Sequence, residues 1–122
     1  MFKKLGLIAS ALLLSTACQS MPQSTHVEHN TLTNGLNIVD ENHAVVDFAK
    51  ERYILDTYII PFEQPYYILI RKENAKKIDK DIAEKIAIDY ILPRGCTDPL
   101  QRRADLDKHN VSQTEMLIGV AC

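Results

Sequence analysis

Two apolar runs in the middle of the chain are rich in aromatic and β-branched residues. They cover residues 53–60 (YILDTYII) and 66–71 (YYILIR), and this composition favours β-strands. The five residues between them, PFEQP, begin and end with proline, which suits a connection between strands. The two runs therefore predict a β-hairpin.

Residues 74–92 space their apolar side chains as a helix does. One stripe recurs every four positions, at Ile78, Ile82, Ile86 and Tyr90. Lysines and acids fill most of the remaining positions, as on the solvated face of an amphipathic helix. We predict one main helix over about residues 74–92, ending at Pro93 and Gly95.

A second pair of strands is predicted after Cys96. Side chains alternate along residues 100–107, residues 116–122 (MLIGVAC) are apolar, and residues 109–114 form the loop between the two segments. Together with the first hairpin and the helix, these segments predict an α+β fold. The expected architecture is an antiparallel sheet of about four strands with one helix packed on it.

Residues 40–52 fit two different elements. The run AVVDF at residues 44–48 suits a strand, whereas Asp40 and Asn42 are N-cap candidates and Glu41 suits the first turn of a helix. Both interpretations stay open, with a preference for the helix.

The first residues have the order of a secretory signal peptide. Two lysines precede an apolar run over residues 5–14, and small residues follow it. A helix that spans a membrane needs about 20 apolar residues, roughly twice this length. The run therefore indicates a cleaved leader.

The stretch Ser15-Thr16-Ala17-Cys18 resembles the lipobox of bacterial lipoproteins. This resemblance implies that residues 1–17 are a signal peptide and that Cys18 becomes the acylated, palmitate-bearing first residue of the mature protein. Gln19 differs from the Asp that keeps many enterobacterial lipoproteins in the inner membrane. By the same resemblance it implies the periplasmic face of the outer membrane. Ser15 and Ala17 also suit an ordinary signal peptidase, which stays an alternative.

The remaining chain divides into a tether and a domain. Residues 18–35 carry few large apolar groups and end at the turn signal Asn34-Gly35, so we predict a flexible tether there. Residues 36–122 then form a single small domain. The tether contains His26 and His29 at H-x-x-H spacing, and metal capture by this pair is an alternative function, although no third ligand is fixed nearby.

The three cysteines form an odd set for an exported protein. If Cys18 carries lipid, Cys96 and Cys122 are left to form a disulfide in an oxidising compartment. Such a bridge would staple a domain that is too small to bury a large core. The alternative is a thiol-dependent or hydrolytic enzyme with Cys96 as nucleophile and His109 as its base.

Charge limits the partners of the chain. The sequence holds 14 basic and 16 acidic residues, and loss of residues 1–17 removes two lysines and no acid, which leaves a net charge of −4. A nucleic-acid partner is not expected, because it would require a basic face. Attachment to the membrane is expected to depend on the acyl chains at Cys18.

Four side chains are candidates for partner binding: Tyr66, Tyr67, Arg102 and Arg103. Adjacent residues of a strand point to opposite faces, so one of the two tyrosines is expected at the surface. Arginines are enriched at interface hot spots. The acids Asp79, Asp81 and Glu84 alternate with lysines, and we interpret them as a solvated helix face, not as paired catalytic carboxylates.

No phosphate loop, dinucleotide fingerprint, serine nucleophile elbow or zincin helix occurs in the sequence. We therefore expect a non-enzymatic binding or structural accessory protein that contacts another envelope protein and needs no cofactor. A narrower hypothesis is an inhibitor of a hydrolase that attacks the cell wall. That role would require a protruding loop, either PFEQP or residues 107–114.

Overall fold

A computed structural model of the protein describes residues 31–122. The predicted signal peptide, Cys18 and the His26/His29 pair lie outside these residues. Within them, six strands and one α-helix follow one another as β1 (Asn37–Phe48), β2 (Glu51–Ile59), β3 (Tyr66–Lys72), α1 (Lys80–Gly95), β4 (Gln101–Arg102), β5 (Lys108–His109) and β6 (Glu115–Ala121). The predicted α+β class is confirmed, and the sheet has six strands where about four were expected.

The strands form one antiparallel sheet in the order β1-β2-β3-β6-β4, and β5 also pairs with β6. Residues 60–65 join β2 to β3, so the predicted hairpin is confirmed. At one end of the sheet Tyr66 pairs with Val120, next to Cys122; we call this the disulfide end. At the far end Arg71 pairs with Glu115.

The preference for a helix within residues 40–52 was wrong, because most of this segment belongs to β1 and β2. Ala49 and Lys50 connect the two strands with φ angles of 52° and 68°, the left-handed backbone that a two-residue hairpin turn requires. The pairing jumps from Val39 to Ala44, so residues 40–43 form a bulge opposite Asp56.

The helix begins later and ends later than predicted. Asp79 is its N-cap, and the Asp79 carboxylate accepts a hydrogen bond from the Ile82 N–H at 3.2 Å. Ile78 is buried but lies before the helix, where its N–H donates to the Gln113 carbonyl at 2.9 Å. Pro93 lies inside the last turn and does not end the helix, which continues to Gly95. The predicted stripe is rotated accordingly, and the fully covered helical positions are Ala83, Ile86, Ala87 and Ile91.

The main core lies between α1 and one face of the sheet. The sheet contributes Tyr53, Leu55, Ile68, Ile70, Met116, Ile118 and Val120. A smaller cluster covers the other face and consists of Leu32, Tyr67, Leu69 and Leu117. Leu32 belongs to a 3-10 turn at Thr31–Thr33, so the packed part of the chain includes residues that the sequence assigned to the tether.

The predicted strand over residues 100–107 is interrupted. Two residues pair as β4, a 3-10 turn at Ala104–Leu106 follows, and two more pair as β5. Gly119 on β6 accommodates this turn, because a Cβ there would lie 2.7 Å from the Cβ of Leu106 and 2.8 Å from the carbonyl oxygen of Arg103. Two strands were therefore not predicted: β1, and β5, which is the second part of the interrupted strand.

Candidate functional site

The predicted Cys96–Cys122 disulfide is present, with 5.2 Å between the two Cα atoms. Cys96 is the C-cap residue of α1, and Cys122 follows the end of β6. The bridge therefore fixes the end of the helix to the end of the last strand. This covalent contact defines one rigid end of the domain.

The structure does not bring Cys96 and His109 together. His109 pairs with Met116, whereas Cys96 is bonded to Cys122. Met116 and Cys122 are six positions apart, which corresponds to about 20 Å of extended chain. A cysteine held in a disulfide at that distance does not form a nucleophile–base pair with His109.

The three helix carboxylates have separate roles. Asp79 caps α1, and the Glu84 carboxylate accepts a hydrogen bond from the Arg102 Nε–H. Asp81 is in the first turn of α1, where a negative charge stabilises the helix N-terminus. Among residues 31–122, no group of three His, Cys, Asp or Glu side chains is arranged to hold a metal ion.

Arg102 and Arg103 both bind acids within the domain. The Arg102 guanidinium donates to both carboxylate oxygens of Asp107 and, at 2.7 Å, to the Gly119 carbonyl. The hydrogen bond with Asp107 is the largest cause that raises the pKa of Arg102. Arg103 donates to Asp105 at 2.8 and 2.9 Å, and this pairing lowers the pKa of the Asp105 carboxyl. Both guanidinium groups therefore have carboxylate partners within the domain.

Tyr66 and Tyr67 point to opposite faces of the sheet. The Tyr66 hydroxyl donates to the Gly95 carbonyl at 3.0 Å, and its ring covers Gly95 so closely that a Cβ there would lie 2.9 Å from a ring carbon. Tyr67 is 9 % exposed and packs in the smaller cluster. Tyr66 thus joins the hairpin base to the helix end, and Tyr67 is a core residue.

The most exposed aromatic side chain of the hairpin is Phe62, which lies in the PFEQP connection and was not among the predicted site residues. It is fully exposed at the tip of the loop and adopts a φ angle of 69°, an uncommon conformation for a bulky residue. The Glu63 N–H donates to the Ile60 carbonyl at 2.9 Å and closes the turn. Phenylalanine between two prolines was the sequence signal for this feature.

Two depressions flank this loop at the disulfide end. Gln64 and Cys122 line both; Tyr66, Gly95 and Thr97 belong to the first, and Asp98, Pro99 and Gln101 to the second. We call Phe62, Glu63, Gln64, Asp98 and Pro99 the hairpin-tip surface. It combines one projecting aromatic ring with two acids and an amide.

Nothing among residues 31–122 forms a helix long and apolar enough to cross a membrane. In three comparisons, no protein-family model, no curated protein and no solved structure matched the chain.

Proposed function

We propose that the chain is a lipid-anchored bacterial envelope protein that binds another envelope protein through the hairpin-tip surface and catalyses no reaction. Acylation at Cys18 would hold it at the periplasmic face of the outer membrane, as the lipobox-like residues imply. The observation that carries the binding role is the position of Phe62. A fully exposed aromatic ring at a loop tip offers a partner a large apolar contact, and aromatic side chains are enriched in the cores of protein interfaces.

The loop that carries Phe62 is held in place from several sides. β2 and β3 pair up to Ile59 and Tyr66, the Tyr66 hydroxyl holds the end of α1, and the disulfide fixes that end to β6. A loop that is ordered before binding loses less conformational entropy when the partner arrives. This support favours a binding role over a solvent-exposed connection.

The charges of the surface define the chemistry of its partner. Glu63 follows Phe62 in the chain, and Asp98 lines a depression together with Gln64 of the same loop. Neither acid takes part in an ion pair among residues 31–122. A complementary partner would offer an apolar pocket for the ring and basic side chains around the pocket. A hydrolase that attacks the cell wall is one class of such a partner, in which case Phe62 would enter the cleft of the enzyme.

Site-specific photo-crosslinking in intact cells tests the proposal. A benzophenone amino acid replaces Phe62 in one variant and Val111 in a matched control, since Val111 is equally exposed but lies in the loop at the far end of the sheet. We expect a defined protein adduct from position 62 that is absent from position 111. The adduct should weaken when Glu63→Lys and Asp98→Lys reverse the local charge.

Two outcomes of this experiment would contradict the proposed binding role. Identical adducts from positions 62 and 111 would mean that the hairpin tip has no special role. A lack of any protein adduct from position 62, with the variant present in the membrane fraction, would mean that Phe62 does not contact a partner.

A further inference from the structure

The sheet has one long open edge, which is the outer side of β1. No strand among residues 31–122 pairs with that side. The opposite edge is protected, because β4 and β5 have two residues each and the 3-10 turn between them interrupts the row of free backbone groups. The bulge at residues 40–43 interrupts β1 as well. The continuous part of β1 next to the turn is therefore residues 44–48, which we call the open edge.

The backbone groups that the open edge offers to a partner belong to Val45 and Asp47. The Glu73 N–H donates to the Arg52 carbonyl at 2.8 Å, so Arg52 directs its backbone groups toward the β3 side. Asp47 lies opposite Arg52, and such a pair directs its backbone groups away from each other. Backbone direction alternates along a strand, so Val45 points outward as Asp47 does. The N–H and C=O of both residues are available to another strand.

The side chains of the open edge are mostly apolar. Val46 and Phe48 pack against the main core on the α1 side of the sheet, whereas Val45 lies on the opposite face and is 53 % exposed. The segment contains neither lysine nor proline, the residues that commonly protect an edge strand, and its single charge is Asp47. Such an edge favours the addition of another strand.

The charges select one antiparallel register for two copies of the open edge. With the Val46 residues of the two copies opposite each other, Val45 lies opposite Asp47 and exchanges backbone hydrogen bonds with it. A register centred on Asp47 would place two carboxylates opposite each other, which is unfavourable. A register centred on Val45 would require His43 to pair with Asp47. His43 lies in the bulge, and its Nδ1 is 2.6 Å from the Asp56 carboxylate of its own chain.

The register centred on Val46 would continue the main core from one copy to the next. Ala44 would lie opposite Phe48 on either side of the two Val46 side chains, on the face that carries α1. The two-fold axis of an antiparallel pair runs perpendicular to the sheet, so both helices would share one face of the joined sheet. Both Thr31–Thr33 turns would share the other face. The segments that lead toward Cys18 would then leave both copies on the same side, which is compatible with attachment to one membrane.

We infer that two copies of the chain associate through the open edge, as an antiparallel strand pair centred on Val46 that joins their two sheets. Backbone hydrogen bonds of Val45 and Asp47 hold the pair, and apolar side chains meet on the face that carries α1. This association is separate from the proposed protein partner, because the hairpin-tip surface contains no residue of β1.

Disulfide crosslinking of the full chain in bacterial membranes tests this inference. In the inferred pair the two Val46 residues are not hydrogen-bonded to each other, and their Cα atoms lie about 4.5 Å apart, a distance that a disulfide bridges. Val46→Cys should therefore give a dimer under mild oxidation, and a reductant should separate it. Val45→Cys is the matched control. Position 45 is highly exposed, but its two copies would lie diagonally at about 7–8 Å, so the dimer should be lost.

Charge at position 45 tests the register in the same assay. Val45→Asp places a second carboxylate opposite Asp47 and should reduce the dimer formed by Val46→Cys about fivefold, because two such like-charge contacts form in the symmetric pair. Val45→Lys also introduces a charge but places an ammonium group opposite Asp47, so it should retain the dimer. Resistance to protease shows that each variant is folded.

Three results would overturn the inference. The first is a folded Val46→Cys variant that gives no dimer. The second is a dimer yield from Val45→Cys that equals or exceeds the yield from Val46→Cys. The third is an equal dimer yield with Val45→Asp and with Val45→Lys.

Discussion

Asp107 binds the side chain of Arg102 across the interruption between β4 and β5. Both carboxylate oxygens accept from the guanidinium, and Oδ1 also accepts from the Gly119 N–H on β6. The Asp107 and Arg102 side chains are 12 % and 19 % exposed, so the pair is shielded from water. The 3-10 turn between them is thereby fixed to the sheet without strand pairing.

Loss of this carboxylate should destabilise the domain. We expect Asp107→Ala to lower the free energy of unfolding by about 2 kcal/mol, because Arg102 would keep a partly buried charge with fewer partners. Asp105→Ala removes an acid from the exposed Arg103 pair and should have a much smaller effect. Urea unfolding of both variants measures the difference. Equal urea midpoints for the two variants would show that Asp107 does not stabilise the segment between β4 and β5.

The disulfide should contribute a large part of the stability. Its two cysteines are 26 residues apart, and closing such a loop contributes about 3.5 kcal/mol in the chain-entropy model. Cys96→Ser with Cys122→Ser should lower the free energy of unfolding by this amount, while Cys18→Ser should leave it unchanged. Denaturant unfolding with and without a reductant checks the prediction. A reductant that shifts the midpoint of the double variant as much as that of the wild type would contradict it.

The β1–β2 turn should respond to residues that tolerate positive φ. Ala49→Asn with Lys50→Gly replaces two strained residues by the preferred pair of a two-residue hairpin. We expect the free energy of unfolding to rise by about 1 kcal/mol. Lys77→Gly, in the connection before α1, is the control and should not stabilise. A lower thermal midpoint for the Asn-Gly variant than for the wild type would refute the turn geometry.

Alkaline stability should depend on Tyr53. Burial raises the pKa of this phenol, and the charges of Glu51 and Asp79 raise it further. The folded state therefore favours the neutral phenol, and the stability it contributes is complete below about pH 10 and is lost as the pH rises through the folded pKa. Tyr53→Phe should show a shallower loss of stability between about pH 9 and pH 11, measured by urea midpoints. If the urea midpoints of variant and wild type fall in parallel with pH, ionisation of Tyr53 does not contribute to the loss of stability.

The elements that were predicted correctly are those whose apolar pattern is visible within a short stretch of sequence. The aromatic run of β2, the four-residue repeat of α1 and the apolar run of β6 each predicted the right element. The β1–β2 hairpin was missed because Ala49-Lys50 contains neither the Gly nor the Asn that usually marks such a turn. The helix start was placed too early because Ile78, a buried loop residue, continues the helical spacing by chance.

Contacts between residues that are far apart in the sequence could not be predicted from the pattern of apolar and polar residues. The division of β4 from β5 depends on Arg102 and Gly119, which are 17 residues apart. The cleft lined by Lys80 and Lys108 likewise lies between the start of the helix and the sheet edge, two segments that are far apart in the sequence. The disulfide was predictable because it followed from the number of cysteines and from the predicted export of the chain, and neither requires geometry. Phe62 carried a local signal, an aromatic residue in a proline-bounded turn, but its full exposure required the structure.

Intact-mass measurement of the protein purified from bacterial membranes tests most directly whether Cys18 anchors a disulfide-closed binding domain. The expected product begins at Cys18, carries the added mass of acyl chains, and gains two hydrogens when Cys96 and Cys122 are reduced. A mature chain with an unmodified amino terminus, or with free thiols at positions 96 and 122, would contradict the proposed anchored and oxidised protein.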